Sequence, residues 1–165
     1  MLLKMRRLDD RPRENRIKAY IDIDGVLLRD GRNGPELIPR FNRVICFLKD
    51  NFDCFWLTTH VRHGSGSMGV VAKLAPYLRK ARIDLNLLDG IKPTEWETLK
   101  TEAIDFRAPF IWLDDDPLPS ERRILQENGC ADCLIDINWR KRGLRLTVGR
   151  LRPIRRDMID RADQA

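Results

Sequence analysis

Asp22 and Asp24 bracket a single isoleucine in the run Tyr20-Ile21-Asp22-Ile23-Asp24-Gly25. In extended backbone, residues two apart point to the same side, roughly 6–7 Å apart. Carboxylates held that close repel each other. A third acidic group, Asp114-Asp115-Asp116, ends a second apolar run, Phe110-Ile111-Trp112-Leu113. A hard divalent cation relieves such repulsion. Oxygen-only donors suit Mg²⁺, and Mg²⁺ in turn favours phosphate as a partner. Gly25 lets the chain turn sharply and lets a ligand approach the backbone. The competing reading is an ordinary turn after a strand, but two aspartates at a buried strand end are costly without a counter-ion. A third polar cluster, Thr58-Thr59-His60, follows the apolar run Phe55-Trp56-Leu57.

The elements that must position these groups alternate along the chain. Residues 17–23, 53–57, 83–88, 109–113 and 133–137 read as strands from their β-branched and aromatic content. Helical spacing of apolar residues covers 38–52 and 70–81, with Pro76 a source of a kink. Thr94-Glu95-Trp96-Glu97 has the form of a capping box, which predicts a helix from Glu95 to about Phe106. Ser120 is placed to cap a helix ending at Gly129. Gly31 and Gly34-Pro35 mark a loop, and the Gly/Ser-rich stretch 60–67 marks another. The alternation predicts an α/β, three-layer Rossmann-like domain with a central, mainly parallel five-stranded sheet. Ligands of such sheets bind outside the carboxyl ends of the strands, which is where all three polar clusters fall.

Asp22-Ile23-Asp24-Gly25-Val26 resembles motif I of the haloacid dehalogenase-like (HAD) phosphohydrolases. Phe55-Trp56-Leu57-Thr58 looks like motif II of that superfamily. Lys100 looks like the motif III lysine, with Lys92 as the alternative, and Phe110 to Asp115 looks like motif IV. The resemblance covers about residues 17–137. It is nearest to the small HAD domains associated with bacterial RNA-repair proteins. It implies a Mg²⁺-dependent phosphatase working through an aspartyl-phosphate on Asp22. Asp24 would be the general acid and then the base, with its backbone carbonyl on the metal. Thr58 would bind a phosphoryl oxygen and Lys100 would neutralise developing charge. Asp114 and Asp115 would hold Mg²⁺ directly or through water, with Asp114 the first choice for direct contact. Asp116 would support the metal ligands indirectly or cap the next helix. The gaps after motifs I and II are too short for a cap domain.

An uncapped site needs a large substrate or another chain to exclude water. The 165-residue chain carries a net charge of +6, and all the excess lies in residues 138–165. These hold nine basic and three acidic side chains, whereas residues 1–137 hold 22 of each. Arg140, Lys141 and Arg142, with Thr59 and His60 near motif II, are therefore candidates for substrate contact. Trp139 is a candidate for stacking on a base. The expected partner is a phosphorylated substrate, such as a nucleic-acid end reached through this basic extension. The alternatives are a small phosphomonoester in a site closed by oligomerisation, and a weakly active nucleic-acid-binding or adaptor protein on the same fold. A solvated extension that only aids solubility is the plain reading of the tail, and part of it reads as an edge strand.

The remaining features exclude other classes. The length suits one domain, divided here into a basic arm (1–16), a catalytic core (17–137) and the extension (138–165). No apolar run approaches the ~20 residues of a membrane span, and the N-terminal stretch has no apolar signal core. Four scattered cysteines argue against a disulfide scaffold and for a reducing, cytoplasmic setting. Cys130-Ala131-Asp132-Cys133, joined by Cys46 and Cys54, is a weak case for zinc.

Overall fold

The computed structural model describes residues 16–162, so all of the basic arm (1–16) but Arg16 lies outside the described residues. Five parallel strands form one sheet: β1 (Lys18–Ile21), β4 (Asp53–Trp56), β5 (Lys92–Pro93), β6 (Phe110–Asp114) and β7 (Leu134–Asp136), in the order β5-β4-β1-β6-β7. Between β1 and β4 come a hairpin, β2 (Leu28–Gly31) with β3 (Gly34–Leu37), and helix α1 (Phe41–Asn51). Helices α2 (Gly66–Lys80), α3 (Pro119–Glu127) and α4 (Val148–Ala162) complete the domain. Among the described residues, no helix is long and apolar enough to cross a membrane.

Side-chain alternation builds the three layers. Ala19 and Ile21 of β1, with Ile111 and Leu113 of β6, face a core closed by Val44, Ile45 and Leu48 of α1 and Val70, Leu74 and Leu78 of α2. Tyr20, Phe110 and Trp112 face the other way, onto Leu125 of α3 and Ile104. Because successive side chains alternate across a sheet, Asp22 and Asp114 continue the Tyr20 and Trp112 face. The chain order reverses at β1, with β4 and β5 on one side and β6 and β7 on the other. The carboxyl ends of β1 and β6 therefore border the topological switch point.

Several expected elements differ. The loop marked by Gly31 and Gly34-Pro35 is the β2–β3 hairpin. Pro35 pairs with Asp30 in a two-stranded ribbon, where a missing N–H is tolerated. Residues 83–88 are no strand. The Asp84 carboxylate accepts the Asn86 N–H at 2.9 Å and opens a 3₁₀ turn, Leu85–Leu88. The third strand is instead the short β5. The helix expected from Glu95 is only a 3₁₀ turn, Lys100–Ala103. Thr94 does not cap it, because its hydroxyl donates to the Trp56 carbonyl at 2.6 Å. The Glu102 carboxylate gathers the N–H groups of Glu97 and Leu99, at 2.8 and 2.9 Å, into a loop. Helix α3 begins at Pro119, and Glu121 rather than Ser120 accepts the Leu118 N–H, at 2.8 Å. The stretch after β7 forms no edge strand. Thr147 caps α4 by accepting the Arg150 N–H at 3.1 Å, and Leu146 and Leu151 join the main core. Packing thus continues past Ile137.

Candidate active site

Lys100 Nζ lies 2.6 Å from Asp22 Oδ2 and 2.6 Å from Asp114 Oδ2. The arrangement follows from the alternation: the 3₁₀ turn carrying Lys100 lies on the face that Asp22 and Asp114 share. Glu121 fixes that turn. It is buried, and its Oε1 accepts the Lys100 backbone N–H at 2.6 Å while Oε2 holds the start of α3. Asp22 and Asp114 are buried too, and Asp22 Oδ1 accepts the Ile23 N–H at 2.7 Å. Asp114 Oδ1 accepts the Asp116 N–H at 3.0 Å, so Asp116 braces the cluster through its backbone. Lys92 is engaged elsewhere, 2.9 Å from Asp53 and over the Phe55 ring.

Oxygens of Asp22, Asp114 and Asp115 all lie within 4.8 Å of one another, the one such ligand group among the described residues. The four cysteine thiols form no comparable group. Three carboxylates face one ammonium. Burial first, then the nearby Asp114, raises Asp22 above the usual carboxylate range, against the pull of Lys100. Asp115 is pushed up to about 6, mainly by partial burial and then by the charges of Asp114 and Asp22. Lys100 is raised as well: burial opposes its charge, but Asp22 and Asp114 outweigh burial.

Gly25 sits at φ +73°, and a Cβ there would stand 1.8 Å from Asp115 Oδ2. The glycine thus serves the turn and also vacates the space that the Asp115 carboxylate occupies. Gly25→Ala is expected to cost about 1–2 kcal/mol from the left-handed backbone alone. It should also swing Asp115 away and shrink any Mg²⁺-induced rise in Tm. Urea melts and thermal shift with and without Mg²⁺ measure the two effects separately.

No family model, curated protein or solved structure matches this chain. Continuing the register Ile21↔Trp56 puts Thr58, two residues past the end of β4, level with Ile23. Thr58 is fully buried and its Oγ1 has no hydrogen-bond partner. An orphaned buried hydroxyl costs about 1–3 kcal/mol. The Asp24 side chain stands apart from the three clustered carboxylates. Its oxygens meet His60 Nε2 at 2.7 Å and Lys73 Nζ at 2.8 Å. Partial burial raises its pKa, but the hydrogen bonds from Lys73 and His60 win and hold it below the usual carboxylate range.

Thr59 is exposed and opens the 3₁₀ turn Thr59–Val61. Arg140, Lys141 and Arg142 are exposed on the segment leaving β7, at the same sheet end as the site, and no hydrogen bond or ion pair joins them to the carboxylates. The nearest acidic partner of Arg140 is Asp30, 3.9 Å away on the hairpin. Trp139 is not presented for stacking. Its Nε1 donates to the Val26 carbonyl at 3.2 Å, and the Arg29 guanidinium covers its ring. Sequence reasoning missed Glu121 and Lys73. Glu121 was detectable as the acidic residue two positions after Pro119 at a helix start. Lys73 had no signal of its own beyond standing four residues after Gly69.

Proposed function

We propose that this chain is a Mg²⁺-dependent phosphomonoesterase of the HAD type, on a Rossmann-like domain without a cap. The observation that carries the reading is the Lys100 ammonium held between the Asp22 and Asp114 carboxylates, with Asp115 alongside. An oxygen-only donor set with more negative charge than one lysine can offset fits a hard divalent cation. The unpartnered Thr58 hydroxyl suits a phosphoryl oxygen, and the ordered motifs of the resemblance agree with both. Bound Mg²⁺, held by Asp22, Asp114, Asp115 and the Asp24 backbone carbonyl directly or through water, would neutralise the phosphoryl group and its neighbours.

The chain's own groups then divide the work. An Asp22 carboxylate oxygen attacks phosphorus, the aspartyl–phosphate bond forms, and the bond to the leaving oxygen breaks. Asp24 gives that oxygen a proton, and so must enter the step in its acid form, against the pull of Lys73 and His60. A water then attacks the same phosphorus and passes a proton to Asp24, which releases phosphate and restores Asp22. Lys100 offsets charge on Asp22 throughout, and Thr58 orients the phosphoryl group.

Only a short hairpin and α1 separate β1 from β4, and neither is large enough to cover the site. This supports a large substrate that itself excludes water. The exposed Arg140, Lys141 and Arg142 support one with further phosphates, such as a nucleic-acid end.

The test is hydrolysis of 4-nitrophenyl phosphate and of a phosphorylated oligonucleotide, with Mg²⁺ and with chelator. Activity is expected only with Mg²⁺. Replacing Arg140, Lys141 and Arg142 together by Ala should raise KM for the oligonucleotide alone. Metal binding should also carry a proton signature. The raised pKa of Asp115 means its contribution to stability falls as pH climbs from the usual carboxylate range to about 6. A cation must displace that proton, so the Mg²⁺-induced rise in Tm is expected to be larger at pH 7.5 than at pH 5. Equal rises at both would remove Asp115 from the metal site.

A further inference from the structure

Lys100 enters the site from a segment with little regular structure. Residues 94–99 are neither helix nor strand, and a single 3₁₀ turn follows. Backbone N–H groups in such a segment need partners from elsewhere. The Glu102 carboxylate takes those of Glu97, Thr98 and Leu99. Glu121, from α3, takes the next one, that of Lys100, at 2.6 Å. The carbonyl side is held from another direction. Arg62 follows the 3₁₀ turn Thr59–Val61. Its Nη2 donates to the Glu97 carbonyl, and its guanidinium lies over the Trp96 ring, 4.7 Å from the centroid.

Residues 96–100 therefore form a strap with an anchor at each end. Arg62 ties one end to the loop after β4, which carries Thr58. Glu121 ties the other to the start of α3, just past the acidic cluster. Glu121 is buried, and its second oxygen accepts the Leu118 N–H at 2.8 Å. A buried carboxylate is costly unless hydrogen-bonded, and both bonds here go to backbone that borders the site. A lysine ammonium rides on a flexible four-carbon stem. Holding it 2.6 Å from both Asp22 and Asp114 requires that its own backbone be fixed.

We propose that Glu121 and Arg62 are positioning residues: through the strap, they hold the Lys100 ammonium between Asp22 and Asp114 before substrate arrives. The effect on rate rests on the phosphatase reading above; the effect on the ammonium does not.

The test uses the full chain. Glu121→Gln keeps the shape but turns one acceptor into a donor that faces an amide N–H. Arg62→Met keeps a stem and removes the donor and the cation. Without metal, the wild type should show a side-chain nitrogen NMR signal from the shielded ammonium, absent from Lys100→Met. Both variants should lose it. Thr147→Ala, which removes the α4 cap, should keep it and so controls for general destabilisation. With Mg²⁺ and 4-nitrophenyl phosphate, each variant should lower kcat about 10-fold or more with KM little changed. In a Lys100→Met background neither should lower kcat further. An unchanged signal and kcat would make the two residues supports of the fold alone. A higher KM at unchanged kcat would make them substrate contacts. Losses that multiply with that of Lys100→Met would make them independent of the lysine. Each of these overturns the proposal and leaves the phosphatase reading standing. A wild-type chain that hydrolyses nothing overturns that reading, and the ammonium signal then decides the positioning role.

Discussion

Asp22→Asn is expected to abolish phosphate-ester hydrolysis, by more than about 10⁴-fold in kcat, while the protein stays folded. An amide keeps the shape of the carboxylate, and its carbonyl oxygen can still accept a hydrogen bond from the Ile23 N–H or from Lys100. It cannot attack phosphorus. The stability side of the same variant is the more discriminating result. Asp22 is buried beside Asp114 and its charged form is disfavoured there. Neutralising it therefore removes a repulsion that nothing else in the metal-free protein offsets fully. Tm without metal should be unchanged or higher, and the rise on adding Mg²⁺ should shrink. Loss of activity together with a collapsed Tm would instead place Asp22 among residues kept for folding.

Lys100→Met carries the second large effect, and here stability and activity should fall together. The lysine is the common partner of two buried carboxylates. Removing one member of a buried ionic cluster typically costs about 3–5 kcal/mol, because the remaining charges stay buried without compensation. Urea denaturation of the metal-free variant at pH 7.5 should show a loss of that order. Asp22 has a raised pKa. A carboxyl of that kind regains stability as pH falls and it takes up a proton. The loss should accordingly be smaller at pH 5. With Mg²⁺ present, kcat should still drop on the order of 10²-fold or more, since a preorganised cation at the developing charge is gone. An unchanged urea midpoint would mean that solvent already screens the cluster.

The parts of the site on regular strands were legible in the sequence, and the parts on loops were not, for a physical reason. Alternation in Ala19-Tyr20-Ile21 and in Ile111-Trp112-Leu113 announces strands buried on both faces, and the aspartates that follow announce the carboxyl edge. Lys100 was identifiable by its order along the chain, but its setting was not. The capping-box pattern at Thr94 depends on a free threonine hydroxyl, and the Trp56 carbonyl takes that hydroxyl from another part of the fold. Glu102 reads as an ordinary helix residue until its carboxylate is seen collecting loop amides. The hairpin hid behind its own Gly and Pro residues. The contacts of His60 and Lys73 with Asp24 were invisible, since they depend on how closely α2 approaches a turn.

On the phosphatase reading, the central position of β1 also governs when activity could appear. One of its two sheet neighbours, β6, arrives late in the chain, and the ion pair between Asp22 and Lys100 spans 78 residues. Contacts of such separation form only after loop-closure entropy has been overcome, and they are slow to assemble. The site therefore has no local precursor: no fragment of the sheet holds Asp22, Lys100 and Asp114 together. Recovery of hydrolysis after dilution from denaturant should lag behind the return of helical signal, so that turnover reports completion of the whole domain.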